Sequence, residues 1–153
     1  MLHERRLKRH PVYVIDSAGK RSAVVPDAWL DLRIDGQLRV CLVVELDRGT
    51  EEQKRWRQKV ANLLAYADGP YQEMFATSSL TITVATTAGE NRLAELLRWT
   101  EAELAANQEE SLGDLFIFAS LVPGWEEPVQ VFLEPRWYQP FQREPIALLE
   151  GAG

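Results

Sequence analysis

Hydrophobic positions change period along this chain, and each change predicts an element. Between Asp27 and Ile34, apolar Ala28, Leu30, Leu32 and Ile34 alternate with Asp27, Trp29, Asp31 and Arg33, the period-two mark of a strand with two unlike faces. Asp35-Gly36 follows, a strong hairpin signal, so the run Leu38 to Leu46 is predicted to return antiparallel beside it. From about Thr50 to Ala67 the period becomes helical, with Trp56, Val60, Leu63, Leu64 and Ala67 in one stripe. Thr50 is placed to cap that helix, Glu51 and Glu52 suit its positive end, and Gly69-Pro70 stops it. Leu80 to Thr87 is rich in β-branched residues and reads as a central strand, Gly89 to Asn107 as a second amphipathic helix, and Leu115 to Val122 as a further strand.

The remaining segments carry weaker patterns. Met1 to His10 reads as a short helix or the stump of a longer one, ended by Pro11, Val12 to Ile15 as a short strand, and Asp16 to Lys20 as a turn. Val129 to Leu133 is predicted as one more strand or an edge, and Glu134 to Gly153 as an irregular tail, with four prolines from Pro128 to Pro145. The order strand, hairpin, helix, strand, helix, strand predicts an α/β fold, a mixed central β-sheet flanked by helices, with parallel pairing after the hairpin. No repeat or flexible linker divides the 153 residues, so they are expected to form one domain with a basic segment at residues 1–10.

Composition is that of a folded protein, 46% hydrophobic and 26% charged. Cys41, the only cysteine, lies in the apolar run Val40 to Val44 and reads as a buried small hydrophobe, as a reducing cytoplasm would favour. No segment approaches a membrane span, and the charged opening lacks the apolar stretch of a signal peptide. A cytoplasmic location without membrane contact is therefore the expectation.

The net charge of −6 argues against a broad basic surface for packaging nucleic acid. Positive residues are clustered instead, Arg5, Arg6, Lys8, Arg9 and His10 in one block and Lys54, Arg55, Arg57 and Lys59 in another. Each block is either a solvated helix face or a contact for a phosphate backbone.

Within this framework Asp27, Glu45 and Asp47 come together at the ends of two strands. Alternation along the second strand sends Glu45 and Asp47 to the same face, and a simple hairpin register sets Asp27 beside them. On the following helix Glu52, Arg55, Lys59 and Tyr66 share one edge of the stripe, so Lys59 can reach back over the sheet. Converging acids need a cation or close basic partners. Hard oxygen ligands with an ammonium nearby are what a divalent-metal phosphodiesterase requires. The alternative is that Glu45 and Asp47 pair with Arg48, Lys59 or Arg33 at the sheet rim and that Asp27 caps a turn. A zinc site at His3 and His10, a serine nucleophile at Ser78 or Ser79, and a phosphate loop at Gly49 or Gly69 all lack the residues those chemistries need. Trp125, Trp137 and Tyr138 either stack on bases or cover the core.

The stretch Val25-Pro26-Asp27-Ala28-Trp29-Leu30, the stretch Val44-Glu45-Leu46-Asp47-Arg48-Gly49-Thr50-Glu51, and Lys59 with Tyr66 resemble the PD-(D/E)XK nuclease superfamily. More closely, they resemble its replication-relaxation family of bacterial and plasmid proteins. The resemblance implies a restriction-endonuclease-like core in which Asp27 and Glu45 are ligands of Mg2+ or Mn2+. Asp47 stands where the family has its lysine; it would be a further ligand or orient the attacking water, and Lys59 on the next helix would replace the lysine. Arg48, Arg55 and Tyr66 are the implied DNA contacts. The implied activity is divalent-metal-dependent DNA hydrolysis or processing in plasmid or mobile-element replication. The alternative is a catalytically degenerate domain that docks DNA or assembles proteins. Family members often carry a winged-helix segment ahead of this core, and only about ten residues precede Pro11. The expected partners are therefore DNA and a protein partner, a separate DNA-binding chain or a second copy of this chain.

Overall fold

Strand β4, Ala28–Ile34, pairs antiparallel with β5, Leu38–Asp47, in a register running from Ala28↔Val44 to Ile34↔Leu38. This hairpin is the one predicted from the alternation. The computed structural model describes residues 2–3, 11–16, 18–34, 38–70 and 80–151, so the turn itself, Asp35-Gly36, lies outside the described residues. Two parallel strands extend the hairpin, β6 (Thr81–Thr86) beside β5 and β7 (Phe116–Ser120) beside β6. With β1, Leu2–His3, on the outer edge of β4, they form a mixed five-stranded sheet of order β1-β4-β5-β6-β7. All six residues of β6 are buried, as befits a central parallel strand covered on both faces.

Helix α1, Gln53–Asp68, connects β5 to β6, and α2, Glu90–Ala106, connects β6 to β7. Successive right-handed crossovers moving in one direction place both helices on the same face of the sheet. There Trp56, Val60, Leu63, Leu93, Leu96 and Leu104 pack on Val43, Ile82, Val84, Phe116 and Phe118. The Trp56 indole donates a 2.9 Å hydrogen bond to the Thr100 hydroxyl, which satisfies a polar group inside that core. The opposite face, including Val40, Leu42, Ala85, Ile117 and Ala119, is closed by the C-terminal part of the chain through Trp137 and Leu148. Outside the sheet, β2 (Val12–Ile15) and β3 (Arg21–Val24) form an antiparallel ribbon, which buries Val14 and Val24 in the α1 side of the core. Cys41 is buried as expected.

Several predicted elements are corrected. Val129 to Leu133 belongs to a helix, α3 (Pro128–Leu133), because Pro128 supplies a preset φ and no amide hydrogen at the first turn, where none is needed. Leu2 and His3 form an edge strand instead of part of a helix; the rest of the Met1 to His10 segment, its basic block included, lies outside the described residues, as do Ser78 and Ser79. Helix α1 starts after Glu52, without a side-chain cap, so Thr50 does not cap it. Strand β3 was not predicted. The tail is mostly irregular but carries two isolated bridges, Phe118↔Tyr138 and Trp137↔Ile146, and a final turn of helix, α4 (Leu148–Gly151).

Candidate functional site

Asp27 precedes β4 and extends its register by one residue, which sets it opposite Glu45. Its backbone amide donates to the Val44 carbonyl at 3.1 Å, and its Oδ2 accepts from the Leu46 amide at 2.7 Å. The carboxylate is thereby fixed to the backbone of β5 where regular pairing ends.

Glu45 points to the helix-covered face and is only 5% exposed. Lys59, projecting from α1, places its Nζ 3.4 Å from Glu45 Oε2 and 3.0 Å from Glu51 Oε2. Burial pushes the Glu45 carboxyl up to about 7; Lys59 opposes that rise, and the neighbouring Asp27 and Glu51 charges add to it. For Lys59 burial works against the charged form, but Glu45 and Glu51 outweigh it and hold the ammonium above its usual range. Asp27 and Lys59 therefore both act on Glu45, Asp27 from the facing strand position and Lys59 from α1.

Asp47 belongs to a different unit. Its Oδ2 accepts from Thr86 Oγ1 at 2.7 Å, from Arg92 Nε at 3.0 Å and from the Gly49 amide at 3.1 Å, while Oδ1 accepts from Arg92 Nη2 at 2.9 Å. Burial alone would raise its pKa, but the hydrogen bonds from Arg92 and Thr86 keep it below the usual carboxylate range. Arg92 also donates to the Glu51 carbonyl at 2.7 Å, which ties α2 to the loop carrying one of the Lys59 partners. Glu45 and Asp47 do share a face of β5, yet a separate cation compensates each of them.

Among the described residues no group of three or more His, Cys, Asp or Glu side chains is arranged to hold a metal ion. Asp27 and Glu45, opposite each other across the hairpin, are two hard oxygen donors, and a magnesium-type ion commonly binds through one or two carboxylates and keeps several waters. The residue that sequence reasoning missed is Arg92. It flanks the apolar stripe of α2 immediately before Leu93, beside Glu95, and that position carries no local signal of its role.

A cleft of about 710 Å³ opens over this region between the β2–β3 ribbon and α1. Glu45, Glu51 and Lys59 line its inner part, and Lys20, Lys54 and Arg55 complete a basic lining. Arg55, one of the three implied DNA contacts, is exposed on this cleft, and Arg48 is exposed on the loop after β5. Tyr66, the third, is a correction: it is 2% exposed in the core, where burial pushes its phenol pKa up, so its ring offers no surface to a nucleic acid. Trp137 is likewise a core residue at 2% exposure, whereas Trp125 is 84% exposed.

Fold and site together define an α/β protein with a mixed sheet flanked by helices, in which an acid pair and a lysine meet at the strand ends beneath a basic cleft. Comparison with protein-family models, curated proteins and solved structures finds no match to the chain. Among the described residues no helix is long and apolar enough to cross a membrane.

Proposed function

We propose that Asp27, Glu45 and Lys59 are the centre of a restriction-endonuclease-like site that hydrolyses DNA phosphodiesters with Mg2+ or Mn2+. The observation that carries this reading is the position of buried Glu45, opposite Asp27, 3.4 Å from Lys59 and open to a cation-lined cleft. The sheet supports it as well, since an antiparallel hairpin followed by parallel strands is the order the nuclease resemblance calls for. Asp27 and Glu45 would hold the metal, which when bound polarises the phosphate and lowers the pKa of a coordinated water. Lys59 offsets charge that develops on the phosphate oxygens, and it does so from a partly dehydrated position where such an interaction is strong. The Leu46 amide orients the Asp27 carboxylate by donating to Oδ2. A role in plasmid or mobile-element replication rests on the resemblance around Asp27 and Glu45 alone.

The test is cleavage of supercoiled and linear DNA by purified protein in Mg2+, Mn2+ or EDTA, beside Asp27→Ala and Glu45→Ala. Metal-dependent cleavage that both substitutions abolish supports the site. Equal cleavage by parent and variants rejects it.

A second reading is favoured by a specific observation, the engagement of Asp47 by Arg92. With its third acid neutralised, the domain would serve as a catalytically degenerate module for DNA docking or protein assembly. Calorimetric titration with Mn2+ separates the two. Binding that disappears in Glu45→Ala supports the enzyme, and no binding supports the module.

A further inference from the structure

We infer that the cleft between the β2–β3 ribbon and α1 admits one unpaired DNA strand, a nucleotide or two at a time, and excludes an intact duplex. This rests on the nuclease reading for the identity of the ligand and extends it to the form of the substrate.

The charge distribution points to a polyanion. The chain carries a net −6, yet Lys20, Lys54 and Arg55 are all exposed around a single cleft. Among the described residues neither Lys54 nor Arg55 enters a salt bridge, whereas Lys59, deeper in the cleft, is matched by Glu45 and Glu51. The outer cations are therefore available for phosphates, while Lys59 shares its charge with the two acids.

The size and depth of the cleft select among polyanions. At about 710 Å³ it falls within the roughly 300–1,000 Å³ of small-ligand sites, suited to a nucleotide unit and too small for a double helix. Glu45, at 5% exposure, lies on the inner wall. A phosphate in a stacked duplex is carried on a wide rigid body and stays outside such a wall. Enzymes with recessed sites meet that problem by acting on single strands or on extruded nucleotides.

The walls are also fixed. Gln58 Nε2, on α1, donates to Asp16 Oδ2 at 2.7 Å, which latches the end of the ribbon to the helix. The other Asp16 oxygen, Oδ1, accepts from the Ala18 and Lys20 amides at 3.0 and 2.9 Å, so the turn that carries Lys20 is held in shape.

The experiment is fluorescence anisotropy in EDTA with a labelled oligothymidylate and a blunt duplex of equal length, each over a series of salt concentrations. The parent is expected to bind the single strand about tenfold tighter than the duplex. Lys20→Glu with Lys54→Glu is expected to remove most of that binding and to reduce the slope of log K against log salt by about 0.7 for each cation lost. Both lysines are exposed, and circular dichroism confirms that the variant folds. Equal or tighter duplex binding, or single-strand binding indifferent to the charge reversals, overturns the inference. Because no metal is present, single-strand binding by a protein that never cleaves DNA rejects the nuclease reading and leaves this inference standing. Metal-dependent cleavage with no strand preference does the reverse.

Discussion

Arg92 clasps Asp47 through two hydrogen bonds, Nε to Oδ2 at 3.0 Å and Nη2 to Oδ1 at 2.9 Å, across 45 residues of sequence. The pair takes one of three adjacent carboxylates out of the candidate site and turns it into an anchor between the end of β5 and the first turn of α2. The same guanidinium holds the Glu51 carbonyl, so the anchor also braces the loop from which α1 and Lys59 depart.

Removing either partner should be costly. The Asp47 side chain is 2% exposed, so Arg92→Ala leaves a buried charge without its counterion, at a cost of about 3–5 kcal/mol, and Asp47→Ala should cost less because Arg92 keeps Glu95 at 3.3 Å. Urea denaturation measures it, and a loss below about 1 kcal/mol would place the pair among weak surface contacts. The pair also sets an acid limit. Asp47 titrates below its unfolded value of about 3.9, so its contribution is complete above that pH and disappears as pH falls through the lower folded value. Asp47→Asn should flatten that part of the stability curve.

Glu45 has the opposite sign. Its folded pKa of about 7 lies above the unfolded value of about 4.3, so between those values the folded protein holds a proton that the unfolded chain has released. Stability contributed by the site therefore falls as pH rises across that window. Glu45→Gln should match the parent near pH 4 and exceed it above pH 7 by on the order of 1–3 kcal/mol, read from denaturation at a series of pH values. Parallel curves for parent and variant would contradict the burial of an ionisable carboxyl at this position. Under the proposed metal-ligand role of Glu45, Mn2+ binding should release protons and tighten as pH rises through the same window.

Gly49 is set by two constraints at once. Its φ is +82°, and a Cβ added there would stand 2.8 Å from the Ala88 Cβ, in the loop that leads into α2. Gly49→Ala should cost about 1–3 kcal/mol, and because the Gly49 amide donates to Asp47, it should also loosen the Arg92 clasp. Amide exchange at Gly49 and Thr87 gives the second readout; protection unchanged from the parent would show that the loop tolerates the shift.

Two tryptophans make a paired comparison. Trp137 is 2% exposed and donates from its indole to the Val131 carbonyl at 2.7 Å, so Trp137→Ala should cost about 3–5 kcal/mol. Trp125, at 84% exposure, should change stability by less than about 0.5 kcal/mol when replaced by alanine. Thermal melts of the two variants side by side decide it, and similar losses for both would require a packing role for Trp125.

The α/β framework was legible because its elements are long and strongly periodic. Helix α2 spans Glu90–Ala106 where the sequence predicts Gly89 to Asn107, and the hairpin follows the alternation residue by residue. The nearness of Asp27, Glu45 and Lys59 followed from that register and from one turn of helical spacing. Short elements were harder. Strand β3 has four residues and one fully buried side chain, and α3 mixes valines with a proline, so local preference alone does not settle either. Arg92 was illegible for another reason: its role depends on which two elements a parallel crossover brings together, and no local pattern encodes that. Tyr66 shows the same limit from the other side, since the edge of a helical stripe can face the core or the solvent depending on what packs beside it.

The two faces of the sheet are completed by segments that leave the ribosome at different times. The buried residues of the helix side, through Phe118, are all synthesised before Trp137 and Leu148 emerge to close the other. A nascent chain can thus assemble the elements that position Asp27, Glu45 and Lys59 while Val40, Leu42 and Ile117 remain open on the far side. Until the final segment arrives, that bare apolar surface is where a chaperone would bind and where premature release would lead to aggregation.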